Sequence, residues 1–310
     1  MILLTGSAGL IGCATGKRLT ASRIGFNGFD LRDGPSFDTR NFAAIEAALQ
    51  NVTGIVHLAA VSRVVWAEEA PAHAQSVNVD ALDNILRLVH EMANRPWLIF
   101  ASSREVYGEQ SSLPVAEDAT LSPVNTYART KVAGERLVEA AAAKGVHTQI
   151  VRFSNVYGST DDHVDRVVPA FARTAAAGGS LRVDGSGNMF DFTHVDDAAD
   201  GLFKTIEAMI AGEVMPPLHF LTGTGTTLAD LAGLAEKHAL KPVSAMEAPS
   251  RKFDVSQFVG NPRRAEQLLG WNAKIGIDAG FAKLVGQFAA ETSSDTSHSS
   301  NDIPITAATA

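Results

Sequence analysis

Cysteine and long apolar runs are the first things this sequence lacks. It has 310 residues with a single cysteine, Cys13. One thiol excludes an internal disulfide and a metal site built on several cysteines, and it fits a reducing, cytoplasmic setting. No apolar run reaches the roughly 18 residues of a membrane span. The apolar start, residues 1–12, has no basic stretch and no cleavage site, so we interpret it as a first strand and not as a signal peptide.

Positive charge is also scarce. The chain has 26 Lys and Arg against 34 Asp and Glu, which gives a formal net charge of −8. Polymeric nucleic acid requires a basic surface, so we do not expect it as a partner. A small phosphorylated ligand needs only a local site and is not excluded. Hydrophobic residues make up 45% of the chain, which is enough for one large domain or two modest ones.

Short apolar runs alternate with stretches of helical spacing in the first half of the chain. The runs cover residues 1–4, 25–29, 54–58, 97–101 and 147–153, and the helical stretches cover 9–21, 42–49, 70–93 and 125–143. This alternation predicts an α/β fold, a Rossmann-type doubly wound parallel sheet with helices on both faces. After residue 158 the pattern loosens. There we expect helices over 164–177 and 194–206, and a further helix that Thr227 caps before Leu228.

Three glycines, Gly6, Gly9 and Gly12, follow the first strand and open the first helix. Glycine at such points lets the backbone turn sharply and approach a pyrophosphate, which the free N–H groups of the helix start then bind. A plain turn between strand and helix is the alternative. The strand–turn–helix context favours a dinucleotide site.

Asp30 ends the second predicted strand, 18 residues after Gly12. A carboxylate there accepts hydrogen bonds from both ribose hydroxyls and repels a 2′-phosphate, which favours NAD over NADP. Arg32 weighs slightly against this preference, because an arginine is able to hold that phosphate. The alternative is a surface acid in a turn.

Tyr127 and Lys131 are four residues apart on a predicted helix and therefore project from the same face. A cation beside a phenol stabilises the phenolate and lowers its pKa from about 10, so the pair predicts a general base and acid. A solvated helical pair is the alternative. Ser103 follows the buried run 97–101 and places a hydroxyl at the end of a strand.

The segments GSAGLIG, SSREVYG, YARTK, RFSNVYG and FDFTHVDD together resemble the extended short-chain dehydrogenase/reductase family. Within it, the sequence resembles the NAD-dependent nucleotide-sugar epimerase/dehydratase group, from residue 1 to about residue 285. The resemblance implies NAD as cofactor and a catalytic set of three residues. Ser103 would bind the sugar hydroxyl whose proton Tyr127 removes, and Lys131 would also hold the nicotinamide ribose. A 4-keto sugar would result.

The resemblance also assigns binding positions, none of them for a metal. Those for the cofactor are Gly6, Gly9, Leu10, Ile11, Gly12, Asp30, Asp38, Thr39, Leu58, Ala59, Ala60, Asn78, Tyr127 and Lys131. Those for the substrate are Ser103, Asn155 and Arg251, and Arg182 is added as a candidate because it lies near a position where the family pattern is broken. Asn155 and Arg251 match residues that contact the substrate diphosphate, a role that suits an arginine fork.

Two positions depart from the family pattern. The family has an arginine for the diphosphate where this chain has Phe190. Arg182 or Arg166 is a candidate replacement, with a solvated charge as the alternative for each. Arg104 stands where dehydratases of the group have an acid, which argues against 4,6-dehydration. Glu105 remains, as in the sugar-acid decarboxylases of the group, and either a catalytic or a structural role is open to it.

We therefore expect an NAD-dependent nucleotide-sugar epimerase, most simply a UDP-sugar 4-epimerase. A decarboxylase or a dehydrogenase/reductase of the same family is the alternative enzyme, and a non-catalytic NAD-binding module is the alternative class. The NAD-binding domain should cover residues 1–160, with about 188–210 returning to it. The smaller interleaved substrate domain should cover 161–187 and 211–290. Residues 291–310, rich in Ser and Thr, predict a disordered tail. The resemblance also implies a homodimer through residues 70–93 and 125–143.

Overall fold

The computed structural model describes residues 1–250 and 255–298. Numbered in chain order, its strands are β1 (Ile2–Thr5), β2 (Phe26–Phe29), β3 (Gly54–His57), β4 (Trp97–Ser103), β5 (Thr148–Phe153), β6 (Asn155–Tyr157), β7 (Gly179–Asp184), β8 (Met189–His194), β9 (Leu218–Phe220), β10 (Gly225–Thr227), β11 (Val243–Ala248) and β12 (Gln257–Phe258). Six of them form one parallel sheet in the order β2-β1-β3-β4-β5-β9. The predicted doubly wound parallel sheet is confirmed.

The α-helices, in chain order, are α1 (Leu10–Ala21), α2 (Phe42–Ala48), α3 (Val64–Glu69), α4 (Pro71–Gln75), α5 (Ala81–Glu91), α6 (Thr126–Ala143), α7 (Val167–Ala177), α8 (Val195–Ile210), α9 (Leu228–Lys237), α10 (Arg263–Leu269) and α11 (Ile277–His298). The single helix expected over residues 70–93 is divided. A π-helical segment, Ser76–Asp80, joins α4 to α5. Thr227 caps α9 as expected, in a reciprocal pair with Asp230.

Helices cover both faces of the six-stranded sheet because successive strand residues point to opposite sides. Leu4 packs with Leu19 of α1 and Leu202 of α8 on one face. Leu3 packs with Ile85 of α5 on the other face. All four residues of β1 are buried, as are those of β3, which explains why these strands are uninterrupted apolar runs in the sequence.

A second unit is built from later parts of the chain. Strand β8 pairs with β6, β10 and β12, and β7 pairs with β11. Helices α7, α9 and α11 pack around a separate apolar core that includes Phe171, Leu231 and Phe281. Strand β9 belongs to the six-stranded sheet, although the sequence analysis assigns residues 211–290 to the substrate domain. It is recruited there because β5 would otherwise be an unpaired edge.

Helix α11 continues through His298, so it overlaps the predicted disordered tail, residues 291–310. Residues 299–310 of that tail lie outside the described residues. Among residues 1–250 and 255–298, no helix is both long enough and apolar enough to cross a membrane.

Candidate functional site

A cavity of about 890 Å³ opens at the carboxyl ends of β1, β3, β4 and β5, where ligands bind in open parallel sheets. It brings together most of the residues that the sequence predicts for the site. Those lining it are Gly6, Gly9, Leu10, Ile11, Gly12, Asp30, Asp38, Thr39, Leu58, Ala59, Ala60, Ser103, Tyr127, Lys131 and Asn155. We call the part formed by residues 6–12, 29–40 and 58–60 the cofactor side. The part formed by residues 103–105 and 154–169 is the substrate side.

The glycine loop makes the tightest backbone approach in the cavity. Gly6 has φ +71°, and a Cβ on it would lie 2.7 Å from the nitrogen of Ala59. A Cβ on Gly12 would lie 2.1 Å from the carbonyl oxygen of Gly6. Gly9, by contrast, meets only that carbonyl, at 3.3 Å, and precedes the N-terminus of α1. The loop therefore leaves free N–H groups and open space for a phosphate at the helix start, which fits a dinucleotide.

Asp30 connects the end of β2 to the glycine loop. Its two carboxylate oxygens accept hydrogen bonds from the N–H groups of Ala8, at 3.0 Å, and Arg32, at 2.9 Å. The Arg32 guanidinium donates to the carbonyl of Ala8, at 2.8 Å, instead of standing free to receive a phosphate. This arrangement leaves the carboxylate at the cavity wall, where it favours a ribose with two free hydroxyls.

Asp38 and Thr39 line the cofactor side, and Asn78 lies behind the cavity wall. Asp38 pairs with Arg40 at 2.6 Å, and this hydrogen bond lowers the pKa of its carboxyl group. Thr39 beside it is buried. Asn78 lies outside the cavity lining and exchanges hydrogen bonds with the backbone of Val61 at 2.7 and 3.2 Å. It thus holds the loop after β3 in place from behind the cavity, whereas the sequence analysis places it among the residues that bind the cofactor.

Tyr127 is buried at the first turn of α6 and carries its hydroxyl toward Ser103. Burial raises its pKa to about 12, while hydrogen bonding with Ser103 and the charge of Arg166 act in the opposite direction. The expectation of a lowered pKa is therefore wrong for the protein alone, because the desolvation of the phenolate outweighs the nearby positive charges. Ser103 itself accepts a hydrogen bond from the N–H of Glu105, at 3.2 Å.

Lys131 lies one turn further along α6 and is fully buried. Its Nζ donates to the carbonyl oxygen of Ala101, at 2.8 Å, and lies 5.8 Å from the Tyr127 ring centroid. Burial lowers its pKa to about 8, with Glu135 acting in the opposite direction. The predicted pair thus shares one helix face, and it is buried, not solvated as in the alternative interpretation.

Glu105 is held by two partners. Its carboxylate pairs with the Arg104 guanidinium at 2.8 Å and accepts a hydrogen bond from the side chain of Asn125 at 3.1 Å. Asn125 is also the cap of α6, since its side-chain oxygen accepts from the N–H of Ala128. Glu105 therefore fixes the start of the helix that carries Tyr127, which gives it the structural role left open by the sequence.

The predicted diphosphate residues have different positions. Asn155 lines the substrate side next to Arg104. Arg182 does not reach the cavity: it is 70% exposed on β7 and pairs with Asp184. That prediction is wrong because Arg182 lies on the two-stranded β7–β11 sheet, outside the cavity lining. Arg166, the other candidate, does line the cavity. Arg251 lies outside the described residues.

The sequence analysis missed a group of residues at the mouth of the cavity. Arg63 pairs with Asp165 across it, and the Trp66 ring lies 4.8 Å from that of His163. Burial raises the pKa of Asp162, which pairs with Arg166. In the sequence, the charged run DDHVDR, residues 161–166, is the feature that could have indicated this group. Only the fold places that run opposite the loop after β3.

No group of three or more His, Cys, Asp and Glu side chains in the described part of the chain is arranged to hold a metal ion. The arrangement is one for dinucleotide binding beside a buried tyrosine and lysine and a partly buried serine.

Comparisons with known proteins agree with this geometry. The profile of the NAD dependent epimerase/dehydratase family matches residues 2–215. The UDP-glucose 4-epimerase of Rhizobium meliloti is 28% identical over 314 residues, with 90% of this chain and 94% of that protein covered. MoeE5, solved in complex with UDP-glucose and NAD, superposes with a TM-score of 0.85 at 25% identity, covering 94% of this chain and 99% of that one. The UDP-glucose 4-epimerase of Thermus thermophilus, solved with NAD, gives a TM-score of 0.83 at 25% identity, covering 93% and 98%.

Proposed function

Since the chain belongs to the NAD-dependent epimerase/dehydratase family, we propose that it is a UDP-sugar 4-epimerase that works through a transient 4-keto sugar. Its cofactor is NAD, in keeping with the family and with similar structures solved with NAD bound. The UDP-sugar specificity is supported by relatives named UDP-glucose 4-epimerase at 25–28% identity. The homodimer and the cytoplasmic location stay predictions.

One observation carries the proposal: Ser103, Tyr127 and Lys131 line the same cavity as the glycine loop. The three are separated by up to 28 positions in the sequence (131 − 103), yet all stand next to the space that the loop leaves for a dinucleotide. Bound NAD would supply a reversible hydride acceptor for the sugar carbon that is inverted. The residues around it must therefore take a proton from the hydroxyl oxygen on that sugar carbon and later return a proton to the same oxygen.

In the proposed mechanism Tyr127 takes that proton. Its pKa of about 12 in the protein alone is too high for a base near neutral pH. A nicotinamide bound on the cofactor side would add a positive charge that favours the phenolate and would lower this pKa. Ser103, which hydrogen-bonds the phenol, orients the sugar hydroxyl, and the Lys131 ammonium adds positive charge below the ring. The same three residues return the proton after the keto sugar has rotated and presents its other face.

The engagement of Glu105 supports epimerisation over the alternative reactions. Dehydration or decarboxylation by this residue would need a carboxyl group free to exchange a proton with the substrate. Here Glu105 is held by one contact on each oxygen, from Arg104 and from Asn125, which is the arrangement of a structural carboxylate. A dehydrogenase/reductase that releases its cofactor would use the same three residues, and so would be separated from an epimerase only by its products.

The test is to incubate the purified protein with UDP-glucose, UDP-galactose, UDP-glucuronate and the corresponding GDP- and dTDP-sugars, with no added NAD. Products are analysed by mass spectrometry and proton NMR. We expect a product of unchanged mass with an inverted C4 proton, formed by NAD that remained bound through purification. The matched control is Tyr127→Phe, which should bind NAD and give no product.

Other results would contradict the proposal in distinct ways. A product lighter by carbon dioxide or water would establish a decarboxylase or a dehydratase and bring Glu105 into the chemistry. Turnover that requires added NAD or NADH in proportion to product would establish a dehydrogenase/reductase. If Tyr127→Phe retains the protein's role in the cell, the non-catalytic binding module is the correct class.

A further inference from the structure

Phe190 stands where the family has a diphosphate arginine, and the structure shows what covers it. The guanidinium carbon of Arg104 lies 4.8 Å from the centroid of the Phe190 ring and 5.8 Å from that of Phe258. The two phenylalanines are paired across β8 and β12 and are buried. Arg104 lines the cavity and Phe190 does not. The cationic surface at this point of the wall thus comes from residue 104, with the aromatic ring behind it.

The three guanidinium nitrogens of Arg104 differ in their hydrogen-bond partners. Nη2 pairs with Glu105 at 2.8 Å, and Nε donates to the Asn155 side chain at 3.4 Å. Nη1 is buried and has no hydrogen-bond partner among the described residues. The side chain is only 9% exposed, so water cannot freely supply one. A buried N–H without an acceptor is unfavourable, and the acceptor that suits a guanidinium is an anionic oxygen.

We propose that Arg104 is the residue that binds the substrate diphosphate in this protein, in place of the arginine missing at position 190. This inference deepens the proposed function and rests on its UDP-sugar substrate. Nη1 would donate to a phosphate oxygen beside Asn155. The Phe190 and Phe258 rings hold the planar cation through cation–π contact, and Glu105 fixes its rotation through the ion pair.

The diphosphate is favoured over the other anion that a nucleotide-sugar offers, a carboxylate on the sugar. Asn155 and position 190 both belong to the diphosphate contacts that the resemblance implies, and Arg104 touches both residues.

The experiment measures binding and not turnover, by calorimetry on the NAD-loaded protein, with UDP, UDP-glucose, UDP-glucuronate and uridine as ligands. The variant is the double change Arg104→Gln with Glu105→Gln, which leaves no unpaired carboxylate. We expect the double variant to bind UDP and both UDP-sugars about 10- to 100-fold more weakly, which is the effect of losing a hydrogen bond to a charged group. The affinity for uridine should be unchanged. Glu105→Gln alone measures the effect of the lost carboxylate, so the loss due to Arg104 is the further weakening seen in the double variant. Arg182→Gln, at an exposed arginine outside the cavity lining, is the control that keeps the binding of UDP.

A reciprocal variant completes the test. Adding Phe190→Arg to the double variant should restore most of the UDP affinity, because it returns the cation to the family position. Arg104→Lys, which keeps the charge and the pair with Glu105, is measured in case the double variant does not fold. This variant should still bind UDP severalfold more weakly than the wild type, because an ammonium lacks the planar, forked donors of a guanidinium. Unchanged UDP binding in the folded variants would overturn the inference.

Selective loss of UDP-glucuronate, with UDP and UDP-glucose unchanged, would also overturn it and assign Arg104 to a sugar carboxylate. A wild-type protein that binds no UDP contradicts both this inference and the proposed substrate. A wild-type protein that binds UDP through Arg104 but inverts no sugar contradicts the proposed function alone.

Discussion

The cofactor side and the substrate side of the cavity are built from different materials. The phosphate-binding part of the cofactor side consists of backbone and small residues: glycines at 6, 9 and 12, and the Leu58–Ala60 stretch. The substrate side consists of charged side chains, among them Arg104, Asp162 and Arg166, brought from separate segments. A dinucleotide phosphate is bound by peptide N–H groups, which any sequence has, whereas the substrate side depends on which side chains meet. The first kind of site is local in sequence and the second is not.

Tyr127 stands between the two sides, and its removal should produce the largest effect. Tyr127→Phe deletes the proposed proton acceptor and keeps the ring, so we expect turnover to fall by about 10³-fold, within the range of general acid–base catalysis. Retained NAD and UDP affinity would show that both binding sides remain intact. Turnover is measured by the C4-inversion NMR assay.

Tyr157→Phe is the matched control for that variant. Tyr157 belongs to the substrate side, but its hydroxyl lies against helix α11, where a Cβ on Gly280 would come within 2.1 Å of it. Its loss should therefore change turnover by less than about threefold. Equal losses in the two variants would contradict the assignment of Tyr127.

Gly12→Ala tests whether the cofactor side depends on backbone approach. The new methyl would lie 2.1 Å from the Gly6 carbonyl oxygen, so the loop must shift away from its phosphate-binding position. Misplacement of this order lowers function by about 100-fold, and we expect that loss in NAD affinity. The measurement is NAD retained after dialysis, followed by titration.

The control is Gly286→Ala on helix α11, where an added Cβ meets nothing within 4 Å. It should stabilise the protein by about 0.5–1 kcal/mol and leave NAD binding unchanged. Full NAD retention by Gly12→Ala would show that the loop tolerates a side chain and that the close approach is not required.

Acid should destabilise the fold behind the cavity through buried neutral histidines on β3 and β8. Burial lowers the pKa of His57, in β3, to about 3, and burial also lowers the pKa of His194, at the end of β8. Between pH 6.5 and the lowered value the unfolded chain binds a proton that the native protein does not, so stability falls as pH falls through this window. For His57 the loss between pH 6.5 and 4 is about 2–3 kcal/mol.

The measurement is the urea midpoint from pH 7 to pH 4 for the wild type and for His57→Gln, which cannot take up the proton. The variant should show the flatter pH dependence. His90→Gln, an exposed site on α5, should leave the slope unchanged. If His57→Gln keeps the full slope, the protein's acid sensitivity arises elsewhere.

Arg182→Gln should have the smallest effect and would sharpen the boundary of the substrate side. The side chain is exposed and paired with Asp184 outside the cavity lining, so UDP affinity should stay within about twofold. A tenfold loss would show that the substrate side extends to the β7–β11 sheet and would restore the original prediction for this residue.

The sequence predicts well what depends on neighbours along the chain. The glycine spacing, the position of Ser103 at the end of β4 and the four-residue step from Tyr127 to Lys131 are local patterns, and the structure brings all of them to one cavity. The direction of the Tyr127 pKa shift was not predictable, because it depends on how completely the fold removes water from the phenol.

The substrate side shows the limit most clearly. In the sequence Phe190 is a gap in the diphosphate site, and Arg104 is only the loss of a dehydratase acid. The contact between their side chains, across 86 positions (190 − 104), gives the two departures one explanation. Arg182 is closer to Phe190 in sequence, but strand β7 carries it away. Proximity along the chain did not predict which side chains lie together, because side chains that meet in a cavity come from different helices and strands.

The position of β9 has a consequence for how the chain is made. Residues 218–220 form the edge strand beside β5, so the parallel sheet is incomplete until that segment has emerged from the ribosome. Until then β5 presents an unpaired backbone edge, the kind of surface that templates association with other chains. Synthesis must continue for about 65 residues beyond the last residue of β5, Phe153, before β9 can cover that edge (218 − 153). During this interval the nascent chain is most exposed to aggregation and most dependent on chaperones.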